Sequence, residues 1–362
     1  MQAKRWSETY DRAPGDLLAI QTEIAREVAN ALELQLGADT KLTLGGTRNP
    51  QAQDLLLKAM AAEARDTPDS IRSAIDLLEA AIAIDPNYAQ AFAQNAIFTL
   101  WYNATFTENA AQLQKSAAKA LGYAQRAVAI APRYPFGYVA LATYYSTRLQ
   151  FAQSLAQYER ATSLPGASID AVLGYSGLLL SLGRFRDRDA MFGRAVSLDP
   201  LNPQISQDQP RALLYEGRFR EAADAAIAGL RRLPNDRDLV TSLAYAQVMV
   251  GEFDAAIATF KSLESSDWHQ LDGLALAAAH SGNRAEAQSM FDQFRQQHPS
   301  GSFYQFAQLH AQLGDKDAAF ASLEQALGET DPGLQVIKVD PFMAPLHGDG
   351  RFAALITTLG LA

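Results

Sequence analysis

Residues 172–234 carry a period. Gly183, Arg184, Phe185 and Pro200 are matched by Gly217, Arg218, Phe219 and Pro234, each 34 residues further on. A fixed period of roughly 20–50 residues marks a stacked-repeat chain, and about 34 residues is the length of one helix–turn–helix unit. No other feature of the sequence restricts the fold as much.

Each unit holds two apolar-periodic runs separated by Gly-x-Phe. Glycine tolerates the left-handed conformation that ends a helix, so Gly183 and Gly217 read as stops for the first helix. The aromatic two residues later opens the buried face of the second. Asp199-Pro200 closes the unit, because proline cannot continue a helix.

The same ruler extends in both directions. Downstream, Gly251-Glu252-Phe253, Gly282 and Gly314 predict second helices beginning near Phe253, Arg284 and Lys316. Their expected core trios are Ala256/Phe260/Leu263, Ala287/Phe291/Phe294 and Ala319/Leu323/Ala326, each on one helical face. Upstream, Phe151/Tyr158/Ala161, Ala120/Ala124/Ala127 and Ala74/Leu78/Ala81 mark three more second helices. The count is about eight hairpins, from Pro50 to Glu329. The second unit is longer than the others, with its extra length around Tyr102 to Gln112. Either its helices are extended or a loop protrudes.

The recurring order of Gly, aromatic, Ala, aromatic, Ala and Pro resembles the tetratricopeptide repeat, over most of the chain. That resemblance implies an all-α fold, a right-handed α-α superhelix of about eight helical hairpins with N- and C-terminal caps. Two residues depart from the pattern. Arg188 stands where a small residue is usual, and Pro210 falls inside a first helix, which it should kink or delay. The expected organisation is 1–48 as an extended segment and capping helix, 49–330 as the solenoid, and 331–362 as a C-terminal cap.

The leading segment falls outside the ruler. Leu17, Ile20, Ile24, Val28, Leu32 and Leu36 form one stripe of a helix closed by Gly37. Trp6 to Arg12, with Ala19-Ile20-Gln21 and Glu23-Ile24-Ala25, is similar to the end of a TolB-like domain. In bacterial multidomain regulators that domain precedes such an array, with an adenylate-cyclase-type or winged-helix effector upstream. The tail from Val339 to Phe352 resembles the tail of the same arrays. The stripe is expected to dock on the Pro50–Ile84 hairpin and leave a monomer. The other reading is a homodimer through residues 16–36.

A solenoid escapes the size limit of one compact core, because each repeat touches only its neighbours. A net charge of −9 and a pI near 5.1 argue against nucleic acid or an anionic membrane as the main partner. No run of 18 apolar residues suggests insertion into a membrane. Without cysteine there is no disulfide, thiol catalysis or thiolate metal site. The expected compartment is the cytoplasm, with the periplasmic part of a membrane-anchored regulator as the alternative.

No phosphate-binding loop, H-E-x-x-H or G-x-S-x-G is present. The five histidines never fall three or four residues apart, so no helix offers a two-histidine metal face. His310 falls at an aromatic core position. Glu221, Asp224 and Glu252 recur where helices face water. The expectation is a chain that is not an enzyme, with no catalytic residue, metal or cofactor.

In a right-handed stack of such hairpins the first helices line the concave wall. Counting back from each turn glycine selects Phe136, Val139 and Thr143, then Gln207 and Arg211, then Thr241, Tyr245 and Met249. His269, Asp272 and His280 follow, then Tyr304, Gln308 and Gln312. Aromatics, methionine and amides on such a wall suit an extended peptide or a helix. A groove filled by the chain's own ends is the competing reading. One subfamily grips a C-terminal carboxylate with lysine and asparagine on successive first helices, and that set is missing here. The sequence reads as an interaction scaffold, the regulatory part of a bacterial signalling protein. The alternative is a module that holds a small ligand or polymer for an associated enzyme.

Overall fold

A computed structural model describes residues 45–65, 67–106, 110–299 and 301–361. The extended segment, the Leu17–Leu36 helix and its expected docking lie outside the described residues. All regular structure among the described residues is helical.

Sixteen helices form eight hairpins. They are α1 (Pro50–Glu63) with α2 (Pro68–Ile84), α3 (Ala89–Phe106) with α4 (Ala110–Ile130), and α5 (Pro135–Thr147) with α6 (Phe151–Ser163). Next come α7 (Ile169–Ser181) with α8 (Phe185–Leu198), α9 (Pro203–Tyr215) with α10 (Phe219–Leu230), and α11 (Arg237–Val250) with α12 (Phe253–Lys261). The last two are α13 (Trp268–His280) with α14 (Arg284–Gln297) and α15 (Phe303–Gln312) with α16 (Lys316–Glu329). Beyond them run two 3-10 turns, Pro332–Val336 and Pro341–Leu346, and helix α17 (Gly350–Thr358).

Local chemistry sets these boundaries. The side chains of Asn49, Ser168, Asn202, Asp236 and Asp267 each accept a backbone N–H in the first turn of the helix they precede. Thr67 and Ser70 form a reciprocal capping box at α2. In hairpins three to eight the chain turns between the two helices through a left-handed residue, as at Gly217 with φ 76°. In the third hairpin that place is taken by Leu149, at φ 57°. Its side chain packs against the core, and that contact holds the strained backbone.

The second helices bury the predicted small and aromatic residues. Ala74, Ala120, Ala195, Ala222, Ala256, Ala287 and Ala319 are all fully buried. Alanine lets the helices of a stack approach closely, and Phe260, Phe291 and Phe294 fill the space where they diverge. The opening aromatics Phe185, Phe219 and Phe253 are half-buried rather than buried, and one residue of the expected trios also differs. Helix α12 stops at Lys261, so Leu263 lies in the turn after it, half-buried. The long second unit is resolved as extended helices, α3 with 18 residues and α4 with 21. Pro210 does not delay α9, which begins at Pro203 with Asn202 as its cap.

From hairpin two onward the first helices of successive hairpins touch one another, while second helices touch their hairpin partner and the next first helix. The first helices therefore form the inner layer of an α-α superhelix. Stacking thins between hairpins four and five, where the small cluster around Val172, Leu173 and Ala195 gains Ile205 from α9. Arg188 lies in this seam at 3% exposure. Its guanidinium rests 4.3 Å from the Phe192 ring centre and donates to Asp189 and Gln209. A long polar side chain thus fills a place that a small residue occupies elsewhere.

Candidate interaction site

After α16 the chain turns back. Residues 332–346 lie along the inner layer, with Pro332–Val336 against hairpins three, four and eight and Pro341–Leu346 against hairpins six, seven and eight. Leu334, Ile337, Met343 and Leu346 share one core cluster with Val139 and Ala142 of α5, Tyr175 and Leu178 of α7, and Tyr304 of α15. Ser146 Oγ donates to Gln335 Oε1 at 3.0 Å, joining residues 189 apart. The four aliphatic residues are fully buried, and each is worth roughly 1.5–3 kcal/mol against exposure. This return ties hairpins three and four, on one side of the thin seam, to hairpin eight on the other. Helix α17 packs elsewhere, on α16, where Arg351 pairs with Asp317 and sits 4.1 Å from the Phe320 ring centre.

Two Asp-Pro pairs start the two turns. Asp331 Oδ1 accepts the N–H of Gly333 at 2.8 Å, and its Oδ2 accepts that of Tyr304 at 3.1 Å. Gly333 lies against the Tyr304 ring so closely that a β-carbon would sit 2.3 Å from it. Only glycine admits this approach. Asp340 is 1% exposed. Its Oδ2 accepts from the Tyr304 hydroxyl at 2.6 Å and from Gln308 Nε2 at 2.7 Å, and its Oδ1 from the N–H of Phe342 at 2.9 Å. The Phe342 ring meets Tyr245 edge-on at 5.5 Å and His280 at 5.6 Å. Gln312 donates to the Phe342 carbonyl.

The electrostatics are those of buried carboxyls held by neutral donors, with His347 the basic group acting on Asp340. Burial raises Asp340 above the usual carboxylate range, against the pull of its three donors. Asp272, 1% exposed, is pushed up to about 7 by burial, with the charge of Asp340 adding to the shift. It accepts the Tyr245 hydroxyl at 3.1 Å through Oδ2, while Oδ1 is buried without a partner. Tyr215, Tyr245 and Tyr304 are all raised, by burial first and by nearby aspartates next. His280 is lowered by burial and stays neutral.

The residues expected on the inner wall divide into three groups. Tyr245, His280, Tyr304, Gln308 and Gln312 contact the returning tail, with Asp272 behind Tyr245. Val139 and Phe136 join the cluster into which the tail packs, and Thr143 bonds to the Val139 carbonyl at 3.0 Å. The remainder satisfy local needs. Gln207 donates to Asp236 at 2.7 Å, Arg211 pairs with Asp208 at 2.6 Å, and Thr241 bonds to backbone carbonyls of its own helix. His269 bonds to Asp267 at 2.7 Å and stacks on Trp268. Met249 lines a shallow cleft beside Phe219 and Glu221. Sequence reasoning missed Asp340, Phe342, Gln335 and Tyr215. The two Asp-Pro pairs were the available signal, since each marks a helix start rather than a featureless tail.

The tetratricopeptide repeat family model matches residues 300–329, the eighth hairpin. Over 145 residues the chain is 34% identical to a Rhizobium meliloti (strain 1021) protein that bears the name adenylate cyclase 3. That match covers 38% of this chain and 23% of the length of that protein. The crystal structure of a tetratricopeptide repeat protein from Parabacteroides merdae is similar with a TM-score of 0.51 at 12% identity, over 76% of this chain and 100% of that one. At that identity the likeness is one of fold. The chain thus folds as a solenoid of eight hairpins in register, the last of which matches the tetratricopeptide repeat model, and its own C-terminal segment lies along the inner wall.

Proposed function

We propose that this chain is a non-enzymatic interaction module, the regulatory part of a signalling protein, and that it engages a polypeptide along its inner wall. One observation carries the reading. The wall of hairpins six to eight holds a 3-10 turn of the chain's own tail through side chains suited to peptide binding: two phenols, two amides and an imidazole. Such a surface grips backbone as well as side chains, as peptide-recognising walls do. The partial identity with a protein named as an adenylate cyclase supports a place beside a signalling enzyme. The buried aspartates and tyrosines bond to one another and to the tail, which is the pattern of a structural core rather than of an open reaction site.

The reading is tested by selecting displayed peptides on the chain carrying Phe342→Ala, which loosens the cis segment. Enriched peptides should lose binding when Gln308→Ala and Tyr245→Ala are added. Retained binding in that background would place the partner elsewhere and defeat the reading.

A further inference from the structure

We propose that the inner wall selects one class of ligand: a polypeptide that presents aspartate, proline and an aromatic residue in succession on a 3-10 turn. This rests on the reading of the wall as a peptide site and names what the site takes. The observation is the manner in which Asp340, Pro341 and Phe342 are held.

Each of the three residues is recognised for a different physical reason. Asp340 accepts three neutral donors, the Tyr304 hydroxyl, Gln308 Nε2 and the Phe342 N–H. Asparagine would turn N–H groups toward those donors, and glutamate would carry the carboxyl one methylene too far. Pro341 occupies the first position of the turn, where its fixed φ is already correct and no N–H is required. Phe342 inserts between Tyr245 and His280, meeting both rings edge-on, with interplanar angles of 65° and 82°. The amide of Gln312 then holds the Phe342 carbonyl, a contact any residue would satisfy.

The tail also divides in a way that separates recognition from folding. Leu334, Ile337, Met343 and Leu346 belong to the cluster that ties hairpins three, four and eight together. Phe342 belongs to a different cluster, built from hairpins six to eight. The Phe342 ring is therefore packed apart from the buried apolar residues of the tail, while Asp340 bonds to Tyr304 at the edge of their cluster. In cis it is present at an effective concentration on the order of millimolar, so a ligand in trans reaches the wall only when the cis turn is weakened.

The test uses the full chain carrying Asp340→Ala and Phe342→Ala. The probe is a fluorescent peptide with the sequence of residues 338–347, titrated by anisotropy beside two versions of itself with alanine for the aspartate or for the phenylalanine. The variant chain should bind the parent peptide at least about tenfold more tightly than either substituted peptide, as expected for one lost charge-assisted bond or ring contact. Equal binding of all three peptides would overturn the ligand class and leave the peptide-site reading standing. Binding of none would defeat both. Should the double variant lose its helical circular-dichroism signal, the same titration on the Asp340→Ala chain decides.

Discussion

The hydroxyl of Tyr304 donates a 2.6 Å hydrogen bond to Oδ2 of Asp340, 36 residues further along the chain. It joins the inner helix of the last hairpin to the segment that returns across the wall. Both side chains are almost wholly buried, at 2% and 1% exposure, so water cannot replace either partner.

Tyr304→Phe keeps the ring and removes that donor. The buried carboxyl is then left with Gln308 and one backbone N–H. The expected cost is about 1–3 kcal/mol, read as a lower urea midpoint at unchanged m-value. An unchanged midpoint would mean that the bond does not hold the tail.

Two glycines separate backbone strain from close approach. Gly217 has open space around its missing β-carbon but φ 76°, so Gly217→Ala should cost roughly 1–2 kcal/mol through conformation alone. Gly333→Ala instead drives a methyl into the Tyr304 ring, 2.3 Å away. It should cost about 1–3 kcal/mol by overpacking and should also raise amide exchange across residues 334–346. Gly217→Ala should leave exchange there unaltered.

Stability should fall as pH rises from about 4 to about 7. Asp272 titrates near 7 when folded, against an ordinary value of 3.8. A carboxyl raised by folding contributes its stability below the lower value and loses it as pH climbs through the higher one. Asp340 is raised in the same direction. Between those limits Asp272 lowers unfolding free energy by up to about 1.4 kcal/mol per pH unit. Asp272→Asn removes the titration, so its urea midpoint should gain on the parent between pH 5 and pH 8. A constant offset would show that Asp272 does not titrate in that window.

The repeat architecture was legible because it is written locally. Gly217 and Phe219 mark a turn and a helix start through backbone conformation and side-chain shape, and the signal returns at a fixed interval. The inner-wall positions followed from the same register, which is why Tyr245, Tyr304 and Gln308 could be named. What they touch was not legible. The contact of Ser146 with Gln335 depends on the summed curvature of the hairpins between them, and no periodicity encodes that. Leu149 escaped the ruler for another reason. A leucine in the left-handed position carries no turn signal, and only its packing shows why it is tolerated.

The return of the tail across the inner wall is tested most directly by cross-linking. The chain has no cysteine, so Ser146→Cys with Gln335→Cys supplies the only two thiols. The parent side chains meet at 3.0 Å. A short bifunctional thiol reagent should therefore join them within one chain, giving a compact species of monomer mass on a denaturing gel, and prior unfolding in urea should abolish it. Cross-links formed only between chains, or no reaction in the folded protein, would contradict the account.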